Sequence, residues 1–182
     1  ILGFDDPKEE ETTVETISGN AETSSEGGEK ITVLSPVKGE IIPLSEVNDE
    51  VFSKNVVGKG AAVIPSEGKV YAPADGEVAS LFDTGHAIGI LTKDGVELLV
   101  HIGLDTVELK GKYFTTHVKQ GDKVTKGQLL ISFDKDGIKK AGYDIVTPVL
   151  VSNTDEYLDV VARKDGSADL TTSLITVLKH SH

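Results

Sequence analysis

The sequence predicts an all-β domain, an antiparallel β-sandwich or barrel-sandwich hybrid with short helical turns, preceded by a non-globular segment. Three observations carry this. From Ile31 onward the chain is a succession of short apolar runs rich in Val and Ile. Turn signals separate them, at Lys38-Gly39, Asp75-Gly76, Asp94-Gly95 and Gly121-Asp122. No long segment with a 3.6-residue apolar period competes with these runs.

Along the chain, residues 1–30 hold nine acidic and two basic residues, few large apolar ones and the pair Gly27-Gly28. Such a stretch cannot bury enough surface to offset its ordering entropy. Residues 1–30 are therefore expected to be a disordered acidic linker, and residues 31–182 the folded domain. Within it Ser35–Ile42 (SPVKGEII) echoes Ala72–Ala79 (APADGEVA), each with Pro, two spacers and Gly-Glu. Such an echo marks architecture, not chemistry. Strands are expected over Glu77–Phe82, His86–Thr92, Val96–Ile102 and Gln128–Phe133, where β-branched and other apolar residues run between turns. Val118–Leu130 reads as a turn, a short strand, a second turn and a strand. Asp155–Ala162 reads as one or two helical turns.

A net charge of −12 argues against nucleic acid or an anionic membrane surface as partner, because both select clustered Lys and Arg. Residues 31–182 are only mildly acidic, with 21 acidic against 16 basic side chains. No apolar run approaches the roughly 20 residues of a membrane helix, so no direct membrane insertion is expected. With no Cys, disulfides and thiolate zinc sites are excluded. The chain has no Met and opens at Ile1 without a basic-then-apolar leader, which reads as a piece of a longer protein.

Five histidines are present: His86, His101, His117, His180 and His182. The last two lie at the chain end and are expected to be incidental. His86 and His101 fall on consecutive expected strands joined at Asp94-Gly95, a pair that favours a two-residue type I′ loop. That loop pairs Lys93 with Val96, Ile88 with His101 and His86 with Gly103. The histidines then share one face as diagonal neighbours, roughly 7–8 Å apart at the backbone. A one-residue slip would send them to opposite faces. Phe82 and Thr84 share the His86 face if the strand has no bulge, and Gly103 leaves room opposite His86. A neutral imidazole is a nucleophile near neutral pH. One ring can accept a phosphoryl group while its neighbour donates an N–H to the phosphoryl oxygens. The plain alternative is that both rings fill a half-buried sheet face.

The stretch Val100–Gly111 (VHIGLDTVELKG) closely resembles the H-[IF]-G-[ILV]-D-T-V-x-L-x-G signature of IIA domains in the glucose family of sugar phosphotransferase permeases. Thr84-Gly85-His86-Ala87 resembles the same family's T-x-H-A motif. The likeness runs over residues 31–180, through Pro36–Glu40, Val51–Gly60, Ala72–Gly76, Gly121–Gly127 and Thr147–Asn153. The resemblance implies a phosphotransferase in which His101 accepts a phosphoryl group from the phosphocarrier HPr and passes it to a IIB-domain Cys. His86 and Thr84 assist, and no cofactor or metal is required. It also implies a shallow docking depression rimmed by Val51, Phe52 and Phe82, with Asp105 nearby; core packing and a turn cap are the plain readings of these residues. Ile1–Asp6 (ILGFDD) resembles the end of the membrane IIC part of β-glucoside-type permeases, which carry IIB, IIC and IIA in one polypeptide. That implies a cytoplasmic C-terminal IIA domain, tethered to the membrane through IIC.

Two other classes compete. A zinc hydrolase of the lysostaphin type has a related hybrid-barrel core, and His101-x-x-x-Asp105 matches one of its ligand pairs, but its H-x-H pair within the sheet is missing. A biotinyl or lipoyl carrier needs a modified Lys at a hairpin tip. Lys93 occupies a tip, yet Thr92-Lys93-Asp94 lacks the modification flanks.

Overall fold

The computed structural model describes residues 29–180, so the expected linker lies, apart from Glu29 and Lys30, outside the described residues. Ile31–Val177 form one compact unit. The strands are β1 (Lys30–Leu34), β2 (Gly39–Pro43), β3 (Lys59–Pro65), β4 (Lys69–Tyr71), β5 (Gly76–Leu81), β6 (Ala87–Thr92) and β7 (Glu97–His101). There follow β8 (Phe114–Thr116), β9 (Lys123–Val124), β10 (Leu129–Phe133), β11 (Thr147–Val151), β12 (Asp159–Ala162), β13 (Ser167–Ala168) and β14 (Ser173–Leu178). Two short helices, α1 (Glu50–Ser53) and α2 (Lys135–Lys140), and three 3₁₀ turns at Leu44–Glu46, Thr106–Leu109 and Thr154–Glu156 complete the described chain. One sheet has eight strands in the order β13-β2-β3-β11-β7-β6-β5-β9, and two smaller sheets run β4-β10-β8 and β1-β14-β12. The all-β expectation holds, and the four strands expected from apolar runs between turns are found within one residue at each end.

Two local expectations are corrected. Asp155–Ala162 is not helical throughout: only Thr154–Glu156 turns, and Asp159–Ala162 is β12, with Val160 buried and Val161 exposed as strand alternation requires. Short helical turns are expected, but not at α1 and α2, which no apolar period in the sequence marks. Each starts on an Asp whose carboxylate accepts a backbone N–H, Asp49 from Val51 at 3.0 Å and Asp134 from Gly137 at 3.0 Å.

The sequence echo becomes a pseudo-twofold arrangement of the large sheet. Gly39-Glu40 opens β2 and pairs with the two-residue edge strand β13; Gly76-Glu77 opens β5 and pairs with the two-residue edge strand β9. Gly39 then faces Pro65 of β3, as Gly76 faces Thr92 of β6. The two halves meet where β11 lies beside β7, with Val149 opposite Val100.

Along β7 the side chains alternate between two apolar clusters. Leu98 and Val100 join the main core with Ile88, Ile90 and Val149. Leu99 packs on the opposite face against a smaller cluster of Leu44, Val47, Phe52, Ala62, Leu104, Val146 and Leu150. His101 follows Leu99 on that second face.

The β6–β7 turn departs from expectation by one residue. Thr92 N–H donates to the Val96 carbonyl, so the loop is Lys93-Asp94-Gly95, and His101 faces Ala87 instead of Ile88. Gly95 takes φ +94°, the left-handed position that closes a three-residue hairpin loop. Its carbonyl accepts from Asn153 Nδ2 and from the Tyr157 hydroxyl, both at 3.0 Å. The buried Thr92 hydroxyl accepts from Val96 N–H at 3.1 Å. These partners, distant in sequence, select the longer loop.

Candidate active site

His101 is the last residue of β7, and the chain turns sharply beyond it through Gly103 (φ +78°) and Asp105 (φ +59°) into the 3₁₀ turn at Thr106–Leu109. With the slipped register, a regular β6 would have carried His86 to the face away from His101. Instead β6 begins only at Ala87, and His86 lies in a turn in which Gly85, at φ +76°, donates its N–H to the Phe82 carbonyl at 2.8 Å. Phe114 and Thr116 press on Gly85 so closely that a Cβ there would lie 3.1–3.2 Å from them. The turn returns the imidazole to the His101 side, and the two ring centroids are 5.0 Å apart at an interplanar angle of 79°.

Four rings form a row. Phe52 of α1 lies 5.0 Å from His101, His101 lies 5.0 Å from His86, and His86 lies 5.1 Å from Phe82. The outer two differ in exposure. Phe82 is 48% exposed and Val51 47%, whereas Phe52 is 6% exposed and belongs to the apolar cluster beneath the site. Of the three expected rim residues, Phe52 is therefore a support for the His101 ring, and Val51 and Phe82 face outward.

Hydrogen bonds orient both imidazoles. His101 Nδ1 lies 2.8 Å from the Gly103 carbonyl oxygen. A carbonyl only accepts, so Nδ1 carries the proton and Nε2 keeps its lone pair. His86 Nδ1 is hydrogen-bonded to the Thr84 hydroxyl. Gly103 thus acts through its carbonyl and its conformation, not by leaving space opposite His86: a Cβ there would lie 2.6 Å from Thr106 Cγ2 and 2.7 Å from the Asp144 carbonyl oxygen.

Burial lowers the pKa of both histidines. His86, only 2% exposed, is pushed down to about 4, first by burial and then by the neighbouring His101. His101 is lowered by burial, and the Gly103 carbonyl and the carboxylates of Asp49 and Asp105 act against that. Both rings are accordingly neutral at pH 7. Asp105 is exposed, and no side-chain hydrogen bond of its own caps the 3₁₀ turn it precedes. Asp49 was not singled out from sequence; the signal available was only that of an N-cap Asp before Val51-Phe52.

The chain matches the family model of the phosphoenolpyruvate-dependent sugar phosphotransferase system, EIIA 1, over residues 31–157. The chain belongs to this family. It is 49% identical, over 86% of its own length, to the β-glucoside-specific EIIBCA component of Bacillus subtilis, of which it covers 24%. It is also 49% identical to the glucose-specific EIIA component of Oceanobacillus iheyensis, over 72% of this chain and 79% of that protein. In three dimensions it is similar to the glucose permease IIA of Mycoplasma capricolum, with a TM-score of 0.75 and 36% identity over 82% of this chain and 96% of that one. This EIIA domain spans about a quarter of the β-glucoside EIIBCA relatives it matches. Its family activity is phosphoryl transfer in sugar uptake, and neither the zinc-hydrolase nor the lipoyl-carrier reading gains support. Among the described residues no three His, Asp or Glu side chains converge as metal ligands, and no helix is long and apolar enough to cross a membrane.

Proposed function

We propose that this EIIA domain accepts a phosphoryl group from phospho-HPr on His101 Nε2 and passes it to a IIB-domain Cys of a β-glucoside-type permease. The observation that carries the reading is the His101 Nδ1 to Gly103 carbonyl bond, which leaves Nε2 as the nucleophilic nitrogen. Attack by Nε2 forms the N–P bond as the donor's bond to phosphorus breaks. The ring retains its Nδ1 proton on the Gly103 carbonyl and so becomes positively charged, a charge that the nearby Asp49 and Asp105 carboxylates favour. On onward transfer the N–P bond breaks, and a neutral imidazole leaves.

His86 assists. If the Thr84 hydroxyl donates to His86 Nδ1, the neutral ring carries its proton on Nε2 and presents an N–H to the phosphoryl oxygens. Val51 and Phe82, exposed apolar side chains, supply docking contacts for the two partners, with Asp105 on the same rim. Residues 1–30 serve as the acidic link to a membrane IIC part, which holds the domain at the cytoplasmic face. The test is labelling by phospho-HPr: His101→Ala should abolish it, and retained stoichiometric labelling would overturn the assignment.

A further inference from the structure

The Ile102–Gly103 segment ties the two histidines together. Ile102 N–H donates to the His86 carbonyl at 2.7 Å, and the Gly103 carbonyl accepts from His101 Nδ1 at 2.8 Å. Thr106 holds this segment from beneath. It is fully buried; its hydroxyl donates to the Ile102 carbonyl, and its methyl lies where a Gly103 Cβ would sit, 2.6 Å from that position. Asp144 closes the other side, its carbonyl accepting from Leu104 N–H at 3.1 Å.

We infer that Thr106 is a positioning residue for phosphoryl transfer: by gripping the Ile102 carbonyl and covering Gly103, it aims the Gly103 carbonyl at His101 and so fixes which ring nitrogen is nucleophilic. The peptide joining Gly103 to Leu104 is not oriented by Gly103 itself, which occupies the left-handed region and bears no side chain. The Leu104 N–H bond to Asp144 pins that plane at one point, and the tilt of its carbonyl then follows the position of Gly103, which Thr106 fixes through the Ile102 carbonyl. Without that anchor a neutral His101 gains access to its other tautomer, with the proton on Nε2, in which the attacking nitrogen is blocked. The inference rests on the proposed role of His101 Nε2, but its structural part is measurable independently.

Two variants separate the hydroxyl from the shape. Thr106→Val keeps the methyl contact on Gly103 and removes the donor; Thr106→Ser keeps the donor and removes the methyl. Nitrogen-15 chemical shifts of the His101 ring should report one tautomer, Nδ1–H, in the parent and in Thr106→Ser, and a mixture in Thr106→Val. The rate of labelling by phospho-HPr should fall about tenfold or more in Thr106→Val and stay within about twofold of the parent in Thr106→Ser. An unchanged tautomer in Thr106→Val, or equal damage in both variants, would overturn the inference, since a purely structural role changes stability and not the ring's proton. A tautomer shift in Thr106→Val together with parent labelling that is not on His101 would sink the acceptor assignment and leave the positioning role standing. Should Thr106→Val fail to fold, the parent decides: the Thr106 hydroxyl proton must be observable in water in slow exchange, and its rapid exchange would overturn the inference.

Discussion

His101 faces Ala87 across the β6–β7 ladder, yet the ring it meets is that of His86, 5.0 Å away and nearly perpendicular. The pair is made by a turn before the strand, not by strand alternation. Gly85, at φ +76°, is the residue that permits it.

A side chain at position 85 must adopt φ +76° and press on Phe114 and Thr116. Gly85→Ala should cost about 1–2 kcal/mol in stability, measured by urea denaturation. Because the strain falls beside His86, onward transfer to IIB should slow more than acceptance from phospho-HPr. Equal slowing of both steps would show that the turn does not act through His86.

Thr84 and His86 form one unit in the proposed mechanism. Thr84→Val removes the partner of His86 Nδ1 while nearly preserving shape, so His86 loses its preferred tautomer. His86→Gln and Thr84→Val should each leave labelling of His101 intact and slow transfer to IIB. Combining them should add little to the slower single variant. Additive losses would separate the two residues.

The depressed His86 pKa makes a signed prediction about stability. Its folded value is about 4 and its ordinary value 6.5, so between these the unfolded chain binds a proton that the folded one refuses. Stability is unaffected by this group above about pH 6.5 and falls as pH drops toward 4, with a slope of up to about 1.4 kcal/mol per pH unit. Replacing His86 with Gln should flatten that part of the denaturation profile. His101, also lowered by burial, contributes in the same direction and remains in the variant. An identical profile for parent and variant between pH 7 and 5 would contradict the assignment.

Phe52 and Phe82 flank the histidine pair but should fail differently. Phe52 is buried against His101, so Phe52→Ala should cost about 3–5 kcal/mol of stability. Phe82 is half exposed, so Phe82→Ala should leave stability within about 1 kcal/mol and weaken phospho-HPr binding by about 2 kcal/mol. Calorimetric titration beside denaturation separates the two. Unchanged binding in Phe82→Ala would remove it from the docking rim.

The parts of the site that sequence revealed are those written contiguously. The block from Val100 to Gly111 and the Thr84–Ala87 motif needed no long-range information, and apolar runs between turn signals placed β5, β6, β7 and β10. The hairpin register was misread by one residue because Asp94-Gly95 is locally compatible with two loops. The choice is made by Asn153 and Tyr157, which capture the Gly95 carbonyl from 58 and 62 positions away. Helix α1 has only four residues, too few for an apolar period, and so the nearness of Asp49 to His101 had no readable trace. Phe52 was legible as an aromatic near the site, but whether it faces a partner or the interior depends on Leu44, Leu104 and Val146 arriving from three separate segments.

The matched halves of the large sheet raise a question of unequal use. Through the Gly39–Pro65 and Gly76–Thr92 correspondences, Gly60 opposite Leu150 occupies the seat that Ala87 opposite His101 occupies in the other half. Geometry offers two equivalent places for an imidazole, and only one receives it. At the other, Leu150 is fully buried and packs in the cluster that holds Phe52, the first ring of the row. In the proposed mechanism one half of the duplicated framework performs the chemistry, and its twin serves as the foundation on which that chemistry stands.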